Sequence, residues 1–163
     1  MANRAAARAD YSSGRRAAGR FSILTRLAEM DDCLFCKIVA GEIPATIVRE
    51  DDRTIAFMDI FPGTRGHCLV IPRAHAADVT EIDPDDLAAC AMAAQDLARR
   101  ALGRLGAEGV NLFNSCGAAA GQTVFHFHIH VLPRYAGDGL KLPWTPAPAD
   151  QGELRAAAAA LGG

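Results

Sequence analysis

The chain has 163 residues, a formal net charge of −2 and a hydrophobic share of 50%, which suits one domain with a sizeable core and is short for two. Alanine supplies much of that share, and no run approaches the roughly eighteen apolar residues that span a bilayer, so a soluble, cytoplasmic protein without a membrane partner is expected. The near-neutral balance gives no reason to expect a nucleic-acid polymer as partner.

Charge is nevertheless uneven along the chain. Residues 1–29 carry six arginines against Asp10 and Glu29, which leaves this segment at +4 and the remainder at −6. An arginine-rich, acid-poor leader resembles an organelle transit peptide in composition, but it lacks the apolar run of a secretory signal. It reads as a basic, weakly ordered extension with a helix over 20–28. Composition shifts at Met30, so a domain is expected over 30–144 and a tail over 145–163, whose alanine-rich end is a short helix or a frayed terminus.

Cys33-Leu34-Phe35-Cys36 opens a short helix over 33–40, closed near Gly41. Such a two-cysteine knuckle in an intracellular-type sequence indicates metal or redox chemistry more than a structural disulfide. Cys68, Cys90 and Cys116 lack that spacing and read as small packing residues, and an odd total of five cysteines opposes a full disulfide framework. Pro44 breaks the chain before strands over 46–50 and 54–59, with Asp51-Asp52 at the turn, and a third strand covers 67–71. A long helix is predicted over 84–105, where Asp83 is a good N-cap, Pro84 a good first residue, and Leu87, Cys90, Ala94, Leu97 and Ala101 form an apolar stripe. Strands over 110–114 and 123–132 finish an antiparallel α+β domain with helices packed on one face of the sheet.

The last strand holds His126-Phe127-His128-Ile129-His130, three of the five histidines in the chain. Alternate side chains of a strand leave one face, so the three rings project together at intervals of about 6–7 Å while Phe127, Ile129 and Val131 point into a core. Three imidazoles on one face each need a buried partner unless chemistry uses them. The preceding loop, from Asn114 to Thr123, is small and polar. Gly117 and Gly121 let backbone amides approach a ligand, and Gln122 and Thr123 offer donors of the kind that hold phosphate oxygens. A catalytic metal held by His126, His128 and His130 is a competing reading, but the outer two rings leave the backbone about 13 Å apart, wide for one ion.

Gly121-Gln122-Thr123-Val124-Phe125-His126-Phe127-His128-Ile129-His130-Val131-Leu132-Pro133-Arg134-Tyr135 resembles the signature of the histidine triad (HIT) family of nucleotidyl hydrolases and transferases. Three further segments agree in order and spacing: Phe35-Cys36-Lys37-Ile38-Val39-Ala40-Gly41-Glu42-Ile43-Pro44-Ala45, Ala56-Phe57-Met58-Asp59-Ile60, and Gly66-His67-Cys68-Leu69-Val70-Ile71-Pro72-Arg73-Ala74-His75.

The resemblance implies a HIT-like antiparallel sheet with a long helix and a short N-terminal helix packed on it. It implies that a purine nucleoside monophosphate is cleaved from an amine or a (poly)phosphate leaving group through a nucleotidyl-histidine intermediate on His128, supported by His130 and His67. By the same resemblance Leu34, Phe35, Ile38, Phe57 and Ile60 border the purine and Asp59 accepts from the ribose hydroxyls. Asn114, Gln122 and Thr123 belong with the phosphate. Many members have serine where Thr123 stands, which keeps the hydroxyl. Cys33, Cys36, His75 and His126 match the ligands of those members that hold zinc, a closed and therefore structural Cys2His2 set; some members lack the cysteines. A homodimer is also implied, and Trp144 falls near a C-terminal aromatic that shapes substrate choice in some relatives. The alternative function is a nucleotide-binding sensor or scaffold with little turnover.

Overall fold

The computed structural model describes residues 32–141 and 145–162; the basic extension, its predicted helix and Trp144 lie outside the described residues. The first two strands of the sheet are short, β1 (Ile47–Glu50) and β2 (Thr54–Met58). Asp51 makes the turn between them: its Oδ1 accepts from the backbone N–H of Arg53 (3.0 Å) and Thr54 (2.8 Å) and from the Thr54 hydroxyl (3.1 Å). Next come β3 (Cys68–Pro72), β4 (Gly109–Phe113) and β5 (Ile129–Arg134), and the five strands form one antiparallel sheet in the order β1-β2-β3-β5-β4.

Helix α1 spans Leu34–Val39 and helix α2 spans Pro84–Leu105. The start of α2 follows from its chemistry. Asp83 Oδ1 accepts from the Asp85 N–H (2.9 Å), Pro84 stands where no donor is needed, and Asp85 and Asp86 face the positive end of the helix dipole. Gly106 ends it, its N–H donating to the Ala101 carbonyl. A last helix, α3 (Gln151–Gly162), settles the tail reading in favour of a helix; none of its residues is buried.

The two faces of the sheet are covered by different helices. Ala56, Cys68, Val70, Phe127 and Val131 pack against Cys90, Ala93, Ala94 and Leu97 of α2. Their strand neighbours Ile55, Phe57, Leu69 and Ile71 point the other way, onto Cys33 and Phe35 around α1. The expectation of helices on one face is thereby corrected, and the reason is that β2 and β3 are apolar at consecutive positions: both faces of these central strands need a cover.

Strand β5 also starts later than predicted, at Ile129 instead of residue 123. The β3–β5 register runs Cys68↔Val131, Leu69↔His130, Val70↔Ile129. Continued backwards it reaches Pro72, which has no N–H to donate. Phe127 donates instead to the Ala76 carbonyl (2.7 Å), so residues 126–128 keep the alternating side-chain directions of a strand without its ladder.

Gly66 leads into β3 with φ +88°, and a Cβ there would lie 2.5 Å from Leu105 Cδ1 at the end of α2. Gly66→Ala combines a left-handed backbone with this overlap and is expected to cost about 2 kcal/mol or more. Urea unfolding measures it; a loss below about 0.5 kcal/mol, the range of ordinary surface changes, contradicts this packing.

Candidate active site

Cys33 is the N-cap of α1, and its sulfur accepts from the Cys36 N–H at 3.5 Å, which turns both sulfurs to one side. His75 lies beyond β3 and His126 before β5, and the fold closes these distant segments on the knuckle. Cys36 Sγ is 3.3 Å from His75 Nδ1 and 3.6 Å from His126 Nδ1, and Cys33 Sγ is 3.5 Å from His126 Nδ1. A tetrahedral ion with bonds of about 2.3 Å to sulfur and 2.05 Å to nitrogen requires S···N edges of roughly 3.6 Å. The four ligand atoms all lie within 4.8 Å of one another, so their spacing fits such an ion.

The donor chemistry agrees with that spacing. His126 is fully buried and its Nε2–H donates to the Pro72 carbonyl (3.0 Å), which leaves the Nδ1 lone pair aimed at the sulfurs. Burial first, with the nearby His75 and His128 rings, pushes the His126 pKa down to about 4, so the ring is the neutral ligand form. Burial, and then Cys33, pushes the Cys36 thiol up to about 12. A divalent cation reverses that tendency, because the thiolate is the ligating form.

His128 stands two residues on, on the α1 side of the sheet, with the edge of Phe35 against it at a centroid distance of 5.4 Å. Its Nδ1 is 2.7 Å from the carbonyl oxygen of His126. Only an N–H can make that contact, so the proton sits on Nδ1 and Nε2 carries a free lone pair. Asn114 holds the same stretch of backbone, donating from Nδ2 to the His128 carbonyl at 2.8 Å.

A second chain of hydrogen bonds fixes His130. Gly63 N–H donates to His67 Nδ1 (3.1 Å), and His67 Nε2 lies 2.9 Å from His130 Nδ1. With Nδ1 of His67 accepting, its proton is on Nε2 and is given to His130 Nδ1, which puts the His130 proton on Nε2. Asp59 Oδ2 is 3.5 Å from His67 Nδ1 and favours a charged ring, but burial opposes it more strongly and the His67 pKa is lowered. Burial, then repulsion from His128 and His67, pushes His130 down to about 4. His130 titrates near 6.5 when unfolded, so its contribution to stability is complete above about pH 6.5 and is lost as pH falls towards about 4, and the lowered His67 pKa acts in the same direction. Urea midpoints should fall across this window, and less steeply in His130→Asn; identical profiles for the two proteins contradict the assignment.

The remaining predicted residues divide into three groups. Phe35, Phe57 and Ile38 come together in the apolar cluster beneath the site, while Leu34 (43% exposed) and Ile60 (81% exposed) are free to meet a ligand. Asp59, at the end of β2, accepts from the Phe61 N–H through Oδ1 (2.8 Å). Gln122 departs from its expected part. It is buried, its Oε1 accepts from the Gly117 N–H (2.7 Å), and its amide donates to the carbonyls of Ala77 (2.7 Å) and Val124 (3.1 Å). Those donors are spent on backbone carbonyls, so Gln122 holds the loop in shape while exposed Thr123 retains its hydroxyl. The loop itself bends through a single 3-10 turn, Ala118–Ala120, between Gly117 (φ +79°) and Gly121 (φ +86°), conformations that favour glycine.

The HIT domain profile matches residues 40–137. The chain belongs to the HIT family. Over 115 residues this HIT protein is 42% identical to Protein hit of Bacillus subtilis, covering 70% of this chain and 79% of that one. It is 43% identical to a Zn-bound histidine triad family protein from Mycobacterium smegmatis, with a TM-score of 0.66 over 82% of this chain and 97% of that chain. It is 37% identical over 131 residues to adenylylsulfatase HINT3 of Arabidopsis thaliana, covering 80% of this chain and 65% of that one.

Two contacts of this HIT protein were not foreseen. Phe113 of β4 pairs with His130 in register and stacks on its ring, with centroids 4.3 Å apart and planes 8° from parallel. The Gly63 amide sets the tautomer of His67. Neither has a motif. Cross-strand pairing of 113 with 130 would have exposed the first, and nothing short of coordinates exposes the second.

Proposed function

We propose that this HIT protein is a nucleotide hydrolase or transferase that cleaves a purine nucleoside monophosphate from an amine or phosphate leaving group through a covalent intermediate on His128. The observation that carries the reading is the 2.7 Å contact from His128 Nδ1 to the His126 carbonyl, which leaves Nε2 as a nucleophile. In the first step Nε2 bonds to phosphorus and the bond from phosphorus to the leaving group breaks. The leaving group departs with its electron pair, an amine taking its proton from solvent, while His128 becomes a nucleotidyl-imidazolium. In the second, water attacks phosphorus and the P–N bond breaks, returning neutral His128 as the proton of the water passes back to solvent. His130 Nε2–H and the Thr123 hydroxyl donate to the phosphoryl oxygens, Asp59 accepts from the ribose, and Leu34, Phe35, Ile38, Phe57 and Ile60 border the base. Asn114 holds the backbone of the nucleophile.

The metal is read as zinc, held by Cys33, Cys36, His75 and His126, and its part is structural. It pins α1 to the segment that carries the nucleophile and supplies no step of the reaction. A homodimer fits the exposed edge of β4, where Leu112 and Phe113 are 48% and 41% exposed, and the outer face of α2, where Met92 is 67% exposed. Among the described residues no helix is long and apolar enough to cross a membrane.

Steady-state assays with an adenosine 5′-phosphoramidate, diadenosine triphosphate and diadenosine tetraphosphate test the reading. Release of adenosine monophosphate from at least one of them is expected. Tight nucleotide binding with no turnover of any would favour the sensor alternative.

A further inference from the structure

On the face of the sheet opposite the histidines, an apolar cavity of about 450 Å³ opens between the second half of α2 and the strands. Its floor is Met58, Cys68 and Val131, and its walls include Val48, Leu97 and Ala101. The space has a cause in the sequence. Alternation sends Leu69 and His130 to the catalytic side and their neighbours Cys68 and Val131 to this one, and α2 brings alanine at 101 where a larger residue would fill the gap.

Three arginines stand in its lining: Arg65 on the turn before β3, and Arg100 and Arg104 one turn apart on α2. Asp96 pairs with Arg100 at 2.7 Å, but among the described residues no carboxylate lies within 4.0 Å of Arg65 or Arg104. The Arg65 turn is held in place, since the Tyr135 hydroxyl donates to its carbonyl at 3.0 Å. Apolar walls beneath unpaired guanidinium groups are complementary to an aliphatic chain ending in an anion, and the volume lies within the range of about 300–1,000 Å³ usual for small-ligand sites.

We propose that this cavity is a second ligand site, distinct from the nucleotide site, which takes an aliphatic carboxylate: the chain lies against Met58, Leu97 and Val131, and the carboxylate meets Arg65 and Arg104. A nucleotide is a poor occupant, because these walls offer nothing to the polar edges of a base or to ribose hydroxyls. The protein's own residues 1–29 carry +4 and would be repelled by the arginines.

Titration calorimetry on the full chain, with decanoate as the probe, tests this. Decanoate is expected to bind, and decanol and butyrate, which lack the head or most of the chain, to bind at least about tenfold more weakly. Arg65→Glu with Arg104→Glu should weaken decanoate by a similar factor, and Ala101→Phe should abolish it, with melting temperature and nucleotide binding little changed. Saturating adenosine monophosphate should leave decanoate affinity unaltered. Absence of decanoate binding to the wild-type chain, equal affinity for decanol, competition with adenosine monophosphate, or sedimentation showing that decanoate splits a dimer closed over this face would each overturn the proposal.

Discussion

His128→Ala is expected to lower turnover of an adenosine phosphoramidate by at least about a thousandfold while leaving nucleotide affinity within a few-fold of wild type. The separation follows from the geometry. The Nδ1 contact leaves His128 Nε2 with its lone pair, the proposed reading assigns the phosphate donors to other residues, His130 and Thr123, and the Asn114 bond is to the His128 backbone, which the substitution retains. The tautomer chain Gly63–His67–His130 does not pass through His128 either. Single-turnover kinetics and equilibrium binding, measured on the same preparation, distinguish the two effects. A variant keeping more than a few per cent of wild-type turnover contradicts the nucleophile assignment, and one that loses binding in proportion to turnover points to a collapsed site.

Removal of the metal is expected to be the second large effect. Elemental analysis of freshly purified protein should find about one zinc per chain, and Cys36→Ser should lose it. Binding at a thousandfold excess over the dissociation constant stabilises a fold by about 4 kcal/mol, so chelation should lower the melting temperature by on the order of 10 °C. Activity should fall with it. His126 has its ring in the candidate metal set and its carbonyl on the His128 Nδ1–H, so on the proposed reading release of the ring would loosen the bond that fixes the His128 tautomer. Zinc near zero in unchelated protein, or a chelator that changes neither melting temperature nor rate, contradicts the centre.

Legibility in the sequence followed the range of the interactions. The sequence predicts helix α2 at its observed bounds because first-turn proline and apolar stripe lie within it and the cap and terminal glycine directly flank it. The period-two histidine pattern was read correctly for side-chain direction, yet residues 123–128 are not in the ladder, because periodicity reports which face a side chain takes and not whether its backbone has a partner. Pro72, far away in sequence, decided that. Gln122 carried a similar ambiguity: an amide suits phosphate and backbone equally, and only the positions of Gly117, Ala77 and Val124 show that backbone takes it. The candidate metal set spans residues 33 to 126; spacing alone singles out its two cysteines, and the histidines come from family resemblance. The separate covers on the two sheet faces were implicit in the unbroken apolar runs of β2 and β3, which demand burial on both sides.

Intact-mass spectrometry after a brief reaction with an adenosine phosphoramidate, quenched without acid to spare a P–N bond, tests the central claim most directly. An adduct of one adenylyl group on the wild-type chain, mapped by peptide sequencing to His128 and absent from His128→Ala, is the predicted result. Turnover with no adduct, or an adduct on any other residue, would contradict it.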